Sequence, residues 1–372
     1  MRIGYDALVL SPPYSGVHIT VEQAARALIE PLGWDLVVFL PGSYPHDERW
    51  LRQVRSYRAP VSGHQRLSRI IWEQTRLSAA ARREGVELLH GPAYVLPRNW
   101  RGPSVVTVHD LLALTHPEWC TRSNVSHYRL TMPPSLRRAS RIVATSQTVA
   151  AELRRRPEVD ADRVRVIPLG VEEQFSPAPP AEVQRVRGWY EIPGPYLLTV
   201  GNLEPKKNLV GLLELFGRLV DEIPHTLVIA GRTAWGDTRP FRRALEVLPP
   251  ERVKLLGYVP REALPALYSG ADLYLQLSWY EGFGLPPLEA MACGVPVVVS
   301  RGGALPEIAG PGAVIVDAAD LTETAQAVRR LLGEEATRSR QAQLGQAHAA
   351  QFTWARHAQG LDELYREVLG HG

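Results

Sequence analysis

Two cysteines, Cys120 and Cys293, are all that 372 residues contain, and they fall in different halves of the chain. A disulfide framework is therefore not what holds the fold, and reduced thiols fit a cytoplasmic protein. Long apolar runs are missing too. None reaches the ~18–20 residues that span a bilayer. Met1 to Leu10 includes Asp6 and reads as a first strand, not a signal peptide. Lysine is scarcest of the charged residues: Lys206, Lys207 and Lys254 are the only three, and arginine supplies the rest of the 42 basic side chains. Two of three lysines side by side, at 206 and 207, single that position out.

What is present describes a soluble globular protein of ordinary makeup, 45% hydrophobic and 22% charged, which excludes a disordered or fibrous chain. At about 100–200 residues per domain, the length suits two domains. The net charge of +3 is uneven. Residues 1–180 carry 23 arginines against 17 acidic residues; the remainder carries 19 basic and 22 acidic. A basic first half suits an anionic acceptor, a membrane surface touched peripherally, or solvent alone. No nucleic-acid partner is expected.

Short apolar runs alternate with helical patterns along the chain, the rhythm of doubly wound α/β folds. In the first half the expected strands are Ile3–Leu8, Leu36–Leu40, Leu88–His90, Val105–His109, Ile142–Thr145 and Val164–Ile167. Helices are expected from about Thr20 to Ile29 and from Ser68 to Arg83. Arg49 to Arg58, with Trp50, Leu51 and Tyr57 interleaved, reads as a solvated helix or loop. Thr115 to Tyr128, with His116, Trp119, Arg122 and His127, reads as a polar-aromatic loop suited to gripping an acceptor. Asp160-Ala-Asp162 follows three arginines and a proline and reads as a solvated turn, not a metal site. The proline-rich run Pro168 to Pro180 is the linker. The boundaries are 1–178, 179–351, and 352–372 for a last helix capped by Thr353. Strands of the second domain are Tyr196–Val200, Thr226–Ala230, Val253–Leu256, Leu273–Leu277, Val297–Val299 and Ala313–Val316.

The run Ser278 to Glu307 carries the chemistry. A buried strand ends in a loop with Glu281, and Gly282 and Gly284 free the backbone amides to face a ligand. Pro286 and Pro287 suit a helix's first turn, Leu288 to Cys293 the helix, Gly294 its C′ residue and Val297–Val299 the next strand. Strand, glycine loop and helix N-terminus make an anion site at the carboxyl edge of a parallel sheet, and a diphosphate fits it. Glu281 and Glu289, the latter read in that helix's first turn, have hydroxyls as their natural partners there, from a sugar and a ribose. Lys206 and Lys207 lie in the first βα loop of the same domain, Val200 to Leu209. A compact ammonium there suits a departing diphosphate.

The string E-G-F-G-L-P-P-L-E-A-M-A-C-G-V-P-V-V resembles the E-x7-E signature of the retaining nucleotide-sugar glycosyltransferases known as glycosyl transferases group 1. L-L-H-G-P-A-Y at Leu88, V-V-T-V-H-D-L at Val105 and G-N-L-E-P-K-K-N at Gly201 extend the resemblance over nearly the whole chain. It implies a GT-B fold, two Rossmann-like doubly wound domains facing a central cleft, with the acceptor on the first and the nucleotide-sugar on the second. It implies that the last helix crosses back to the first domain. It implies that Gly16 lies near the donor diphosphate and that His109 reaches the donor sugar near the reacting carbon. Asp110 either orients that imidazole or helps hold the acceptor. Arg232, Tyr258 and Val259 are implied at the nucleobase, Phe283 and Leu285 in the donor loop, and Lys207 as the essential cation. Asn202 stands where the family often has arginine, which leaves one phosphate contact to Lys206 or another residue.

The activity so implied is transfer of a hexose with retention, without metal or cofactor, to a glycan, lipid-linked or small-molecule hydroxyl. GDP-mannose is the first choice of donor, because the strings at Val105 and Gly201 look most like bacterial mannosyltransferases; UDP-glucose is second. Alternatives from other classes are a nucleotide-sugar epimerase of the same fold, which would isomerise donor without acceptor, and a silent binding protein, which would never release nucleoside diphosphate.

Overall fold

The computed structural model describes residues 1–11, 16–29, 34–46, 48–232 and 236–370. They form two units, Val171–Phe352 as one and Met1–Gly170 with Thr353–Gly372 as the other. Each is built on one all-parallel sheet.

Unit 1 has seven strands, β1 (Arg2–Asp6), β2 (Asp35–Pro41), β3 (Arg55–Ala59), β4 (Leu88–Gly91), β5 (Ser104–Val108), β6 (Arg141–Ala144) and β7 (Val164–Val166), in the order β3-β2-β1-β4-β5-β6-β7. Its central strands are continuous apolar runs because helices cover both faces. Ile3, Tyr5, Val38 and Val105 are wholly buried against Val21, Leu28, Leu361 and Tyr365. The last two belong to the helix Trp354–Leu369, which is part of this unit. Thr353 caps that helix, accepting from the Arg356 amide at 3.2 Å. Tyr365 Oη lies 2.6 Å from His90 Nδ1, and Trp34 Nε1 donates to Asp362 at 2.7 Å. Each large apolar side chain buried this way stabilises by about 1.5–3 kcal/mol.

Unit 2 has six strands, β8 (Tyr196–Val200), β9 (Thr226–Ala230), β10 (Val253–Gly257), β11 (Leu273–Gln276), β12 (Val297–Ser300) and β13 (Ala313–Val316), ordered β10-β9-β8-β11-β12-β13. Leu197, Leu227, Leu275 and Val298 pack on Leu212, Leu213 and Phe216 of the helix Leu209–Gly217. The order reverses between β8 and β11. At such a switch point the loops leaving the two strands diverge and open a crevice at the carboxyl edge, where open α/β sheets take ligands.

Three readings of unit 1 are corrected. Arg49–Gln53 is a 3-10 turn and the rest of that segment is an edge strand, β3. Its arginines suit an edge that must not pair further, and Tyr57 anchors it on Phe39 and Trp72, with centroids 5.6 and 5.9 Å away. The expected helix Ser68 to Arg83 is two, Arg66–Thr75 and Leu77–Arg83, broken at Arg76. Thr115 to Tyr128 is not a loop. After a short turn at Pro117–Trp119, Thr121 caps a helix Arg122–Arg138 that includes Pro133 and Pro134. Its buried side is Thr131, Met132, Ser135 and Leu136, half of it polar, so no apolar period marks it.

The passage between units comes after Gly170, ahead of most of the linker prolines. Those prolines belong to unit 2: Ala178 donates to Ser269 Oγ at 2.9 Å, and Pro179 precedes the helix Pro180–Trp189.

Candidate functional site

The loops that leave β8 and β11 are tied together where they border the crevice. The chain after β8 makes a 3-10 turn, Pro205–Lys207, then Asn208 takes a left-handed conformation and caps the next helix. The Trp279 amide donates to the Lys206 carbonyl at 2.8 Å and ties the two loops. From the other side, the turn after β12 presses on the Glu281 backbone. Ala304 N donates to Glu281 O at 2.8 Å, and a Cβ on Gly303, whose φ is +61°, would stand 2.3 Å from that oxygen.

This fixed loop presents Glu281, 7% exposed, to four donors. Lys207 Nζ is 2.7 Å from Oε1 and Lys206 Nζ 3.2 Å from Oε2. Gln276 Nε2 and Ser278 Oγ donate to Oε1 at 3.0 and 2.8 Å. Burial pushes the carboxyl up, but Lys206, Lys207 and the hydrogen bonds outweigh it and hold the pKa at about 2. The two carboxylates expected beside a phosphate site are thus not left to repel it; this one is neutralised twice. Lys206 is not a solvated bystander, since both ammonium groups are largely covered and both reach the same carboxylate.

A second acid, Glu204, belongs to this cluster. Burial raises the Glu204 carboxyl, the two lysines pull it back, and Glu281 raises it further. Asn202 Nδ2 donates to Glu204 Oε1 at 3.4 Å, so the residue in the usual arginine's place is turned to a neighbour in its own loop.

The helix after the loop runs Leu285–Ala292, three residues earlier than the apolar run suggests, with Gly284 at φ +114° as its N-cap and Pro286 and Pro287 in its first turn. Glu289 therefore sits in the second turn, not the first. Its carboxylate is 4% exposed and receives Arg261 Nη2 at Oε1, 2.8 Å, and Tyr268 Oη at Oε2, 3.0 Å. Neither partner was legible in the sequence, because they come from 28 and 21 residues away across the sheet edge. At the ends of β9 and β10 the Arg232 guanidinium stacks 4.3 Å from the Tyr258 ring, which is 46% exposed. Val259 and Phe283 are buried side chains; Phe283 packs edge-on against Phe352 at 6.0 Å. Gly282 and Leu285 flank Phe283 and Gly284 in the loop after Glu281.

Gly16 and His109 belong to unit 1. Gly16 opens the helix Gly16–Ile29, with open space where a Cβ would stand; residues 12–15 of its loop lie outside the described residues. His109 Nε2 is 2.8 Å from the Pro92 carbonyl and the ring meets Tyr94 edge-on at 5.4 Å. Burial lowers its pKa, so the ring is neutral near pH 7 and donates from Nε2, which leaves Nδ1 as an acceptor. Asp110 accepts from Leu112 N at 3.1 Å and Tyr94 Oη at 3.4 Å, and its charge offsets part of the lowering that burial imposes on His109. Asp160 caps the turn Ala161–Arg163 through the Asp162 amide. Both cysteines are free thiols.

Residues 191–348 match the family described as Glycosyl transferases group 1, and residues 14–175 match Glycosyltransferase Family 4. The O-antigen chain mannosyltransferase B of Escherichia coli is 33% identical over 270 residues, 72% of this chain and 71% of that protein. The serotype-specific mannosyltransferase WbdA of the same organism is 28% identical over 273 residues, 72% of this chain but 34% of its own length. Among solved structures, a sucrose-phosphate synthase from Thermosynechococcus elongatus aligns over all of both chains with a TM-score of 0.80 at 24% identity. With two parallel-sheet units of this order and these matches across both, the chain belongs to the glycosyl transferases group 1 family and is a glycosyltransferase of GT-B fold.

Proposed function

We propose that this enzyme transfers a hexose with retention, mannose from GDP-mannose, to a hydroxyl of a growing glycan or lipid-linked acceptor. The observation that carries the reading is the convergence of Lys206, Lys207 and Glu281 at the switch point of unit 2. Unit 2 holds the donor and unit 1 the acceptor. The anomeric C–O bond to the diphosphate breaks, and a C–O bond to the acceptor oxygen forms on the same face. Negative charge grows on the leaving oxygen, where Lys207, Lys206 and the amides at the N-terminus of Leu285–Ala292 meet it; preorganised charge of this kind is usually the largest catalytic contribution. The leaving oxygen takes the acceptor's proton, so no side-chain base is required. Glu281 receives sugar hydroxyls, Glu289 the ribose, and the Arg232–Tyr258 pair borders the base. His109, neutral, offers Nδ1 to a sugar hydroxyl.

Mannose is supported by the relative at 33% identity, a mannosyltransferase. Contact with the cytoplasmic face of a membrane is supported by the basic first half and by exposed Leu67, Ile71 and Leu130 on unit 1 helices; no helix among the described residues is long and apolar enough to cross a bilayer. The test is a thermal-shift panel of GDP-mannose, UDP-glucose, ADP-glucose and dTDP-glucose, followed by turnover with the best binder. A ligand at 100 times its Kd stabilises by about 2.7 kcal/mol. GDP-mannose should give the largest shift, and an acceptor should then release GDP and form an α-linked product. A larger shift with UDP-glucose would replace the donor; isomerised donor without acceptor would replace the reaction.

A further inference from the structure

Arg261 is a heavily committed cation of unit 2. It opens the 3-10 turn Arg261–Ala263 that follows β10, three residues beyond Tyr258. Its guanidinium is shared between two carboxylates: Nη2 is 2.8 Å from Glu289 Oε1, and Nε and Nη2 both bond Glu172 Oε1. The Phe175 ring covers it with its centroid 4.8 Å away. Burial alone would lower its basicity, but Glu289 and Glu172 raise it instead. An arginine fork suits this double duty and a lysine does not.

We propose that Arg261 is a positioning residue for the nucleotide's ribose, holding the Glu289 carboxylate so that both oxygens accept from a vicinal diol. Each carboxylate oxygen can take about two hydrogen bonds. Here Oε1 has one from Arg261 and Oε2 one from Tyr268, so one acceptor site is left on each. Two adjacent acceptor sites match two adjacent hydroxyls. The charge agrees, because one guanidinium between two carboxylates leaves this corner negative, hostile to phosphate and suited to neutral donors. The phosphate-favouring corner is the separate Lys206–Lys207 pair. Glu172 and Phe175, in the first residues of unit 2, clamp the guanidinium from behind. The inference rests on the reading of Glu289 as the ribose acceptor.

The test is calorimetric binding of GDP and 2′-deoxy-GDP, with UDP and 2′-deoxy-UDP in parallel, to wild type, Glu289→Gln, Arg261→Gln and Arg261→Lys. For the accepted base, wild type should prefer the ribonucleotide by about tenfold or more, the scale of one charge-assisted hydrogen bond. Arg261→Gln should shrink that preference to less than about threefold by weakening the ribonucleotide while sparing the deoxynucleotide. Arg261→Lys should recover part of it, since it keeps the charge and loses the fork. If wild type discriminates and Glu289→Gln does not, yet Arg261→Gln keeps the wild-type ratio, Arg261 has no such role and the ribose reading stands. A wild-type ratio near one would remove the ribose reading and this inference with it. Should Arg261→Gln lack a cooperative unfolding transition, Arg261→Lys decides: a full wild-type ratio there also overturns the proposal.

Discussion

Lys207 Nζ lies 2.7 Å from Glu281 Oε1, so the cation proposed to meet the leaving phosphate is also the countercharge of the buried carboxylate beside it. An ammonium fixed this way needs little rearrangement when charge grows on the diphosphate. Removing an interaction made mainly in the transition state lowers kcat and kcat/KM together. Lys207→Ala should reduce kcat by on the order of 10²–10³, comparable to losing one oxyanion donor. Lys206→Ala should lose less, about tenfold, because its longer contact is to the other oxygen. Nucleoside diphosphate release by the two purified variants checks the ranking, and a severe Lys206 variant beside a mild Lys207 variant would reverse the assignment.

The acid response of stability follows from Glu281. Its carboxyl is held at about 2 in the folded protein, against about 4.3 in an unfolded chain. A depressed carboxylate contributes fully above the unfolded value and is lost as pH falls through the folded one. The contribution is about 3 kcal/mol at most, by about 1.36 kcal/mol per unit, and it disappears between about pH 4.3 and 2. Urea melts across that window should show a shallower acid limb for Glu281→Gln than for wild type, and a lower plateau near neutrality. Parallel curves would remove the lysine pair as the source of the depression.

Glu204 predicts the opposite sign. Its carboxyl is raised by burial, so ionisation favours the unfolded chain and stability falls as pH rises past the unfolded value. Glu204→Gln should therefore melt higher than wild type near neutral pH and no higher near pH 4, as followed by circular dichroism.

Gly303 should be intolerant of a side chain. A Cβ there would meet Glu281 O at 2.3 Å from a backbone already at φ +61°. Gly303→Ala should lower stability by about 1–3 kcal/mol and reduce kcat as well, because the displaced backbone carries Glu281. A variant with wild-type kcat would show that the loop adjusts without moving the carboxylate.

Turnover should survive excess EDTA if Lys206 and Lys207, paired with Glu281, act as proposed and bring to the diphosphate the positive charge that a divalent ion would otherwise supply. Asp162→Asn should be neutral in the same assay, since Asp162 contributes its backbone amide to a turn. Activity lost to EDTA and restored by manganese would overturn the lysine-based mechanism.

Most strands of unit 2 were readable because they are short, largely apolar runs, as strands covered on both faces must be. The same rule hid β3, an edge strand with Arg55 and Arg58 in it, where pairing on one side relaxes the demand for apolar residues. Thr121 at a cap position was the available sign of Arg122–Arg138, and the two internal prolines spoke against it. In the candidate site, Lys206, Lys207, Glu281 and Glu289 were singled out from local strings. Arg261, Tyr268 and Gly303 were not, since what each does depends on a side chain or carbonyl far away in sequence. Local spacing reports which residues carry chemistry; it does not report what holds them.

The helix Trp354–Leu369 completes the core of unit 1, so the two units are synthesised in an interleaved order. Val171–Phe352 is made in full before the last side chains of the earlier unit exist. Leu361, Leu364 and Tyr365 then fill a core whose other walls, Ile3, Val21 and Leu28, were synthesised first. At about 5–20 residues per second, those apolar walls wait through the making of all of unit 2. The apolar walls of the first half thus stay open until Trp354–Leu369 is made, and a stop codon just before Trp354 should leave that core unfilled while sparing Val171–Phe352.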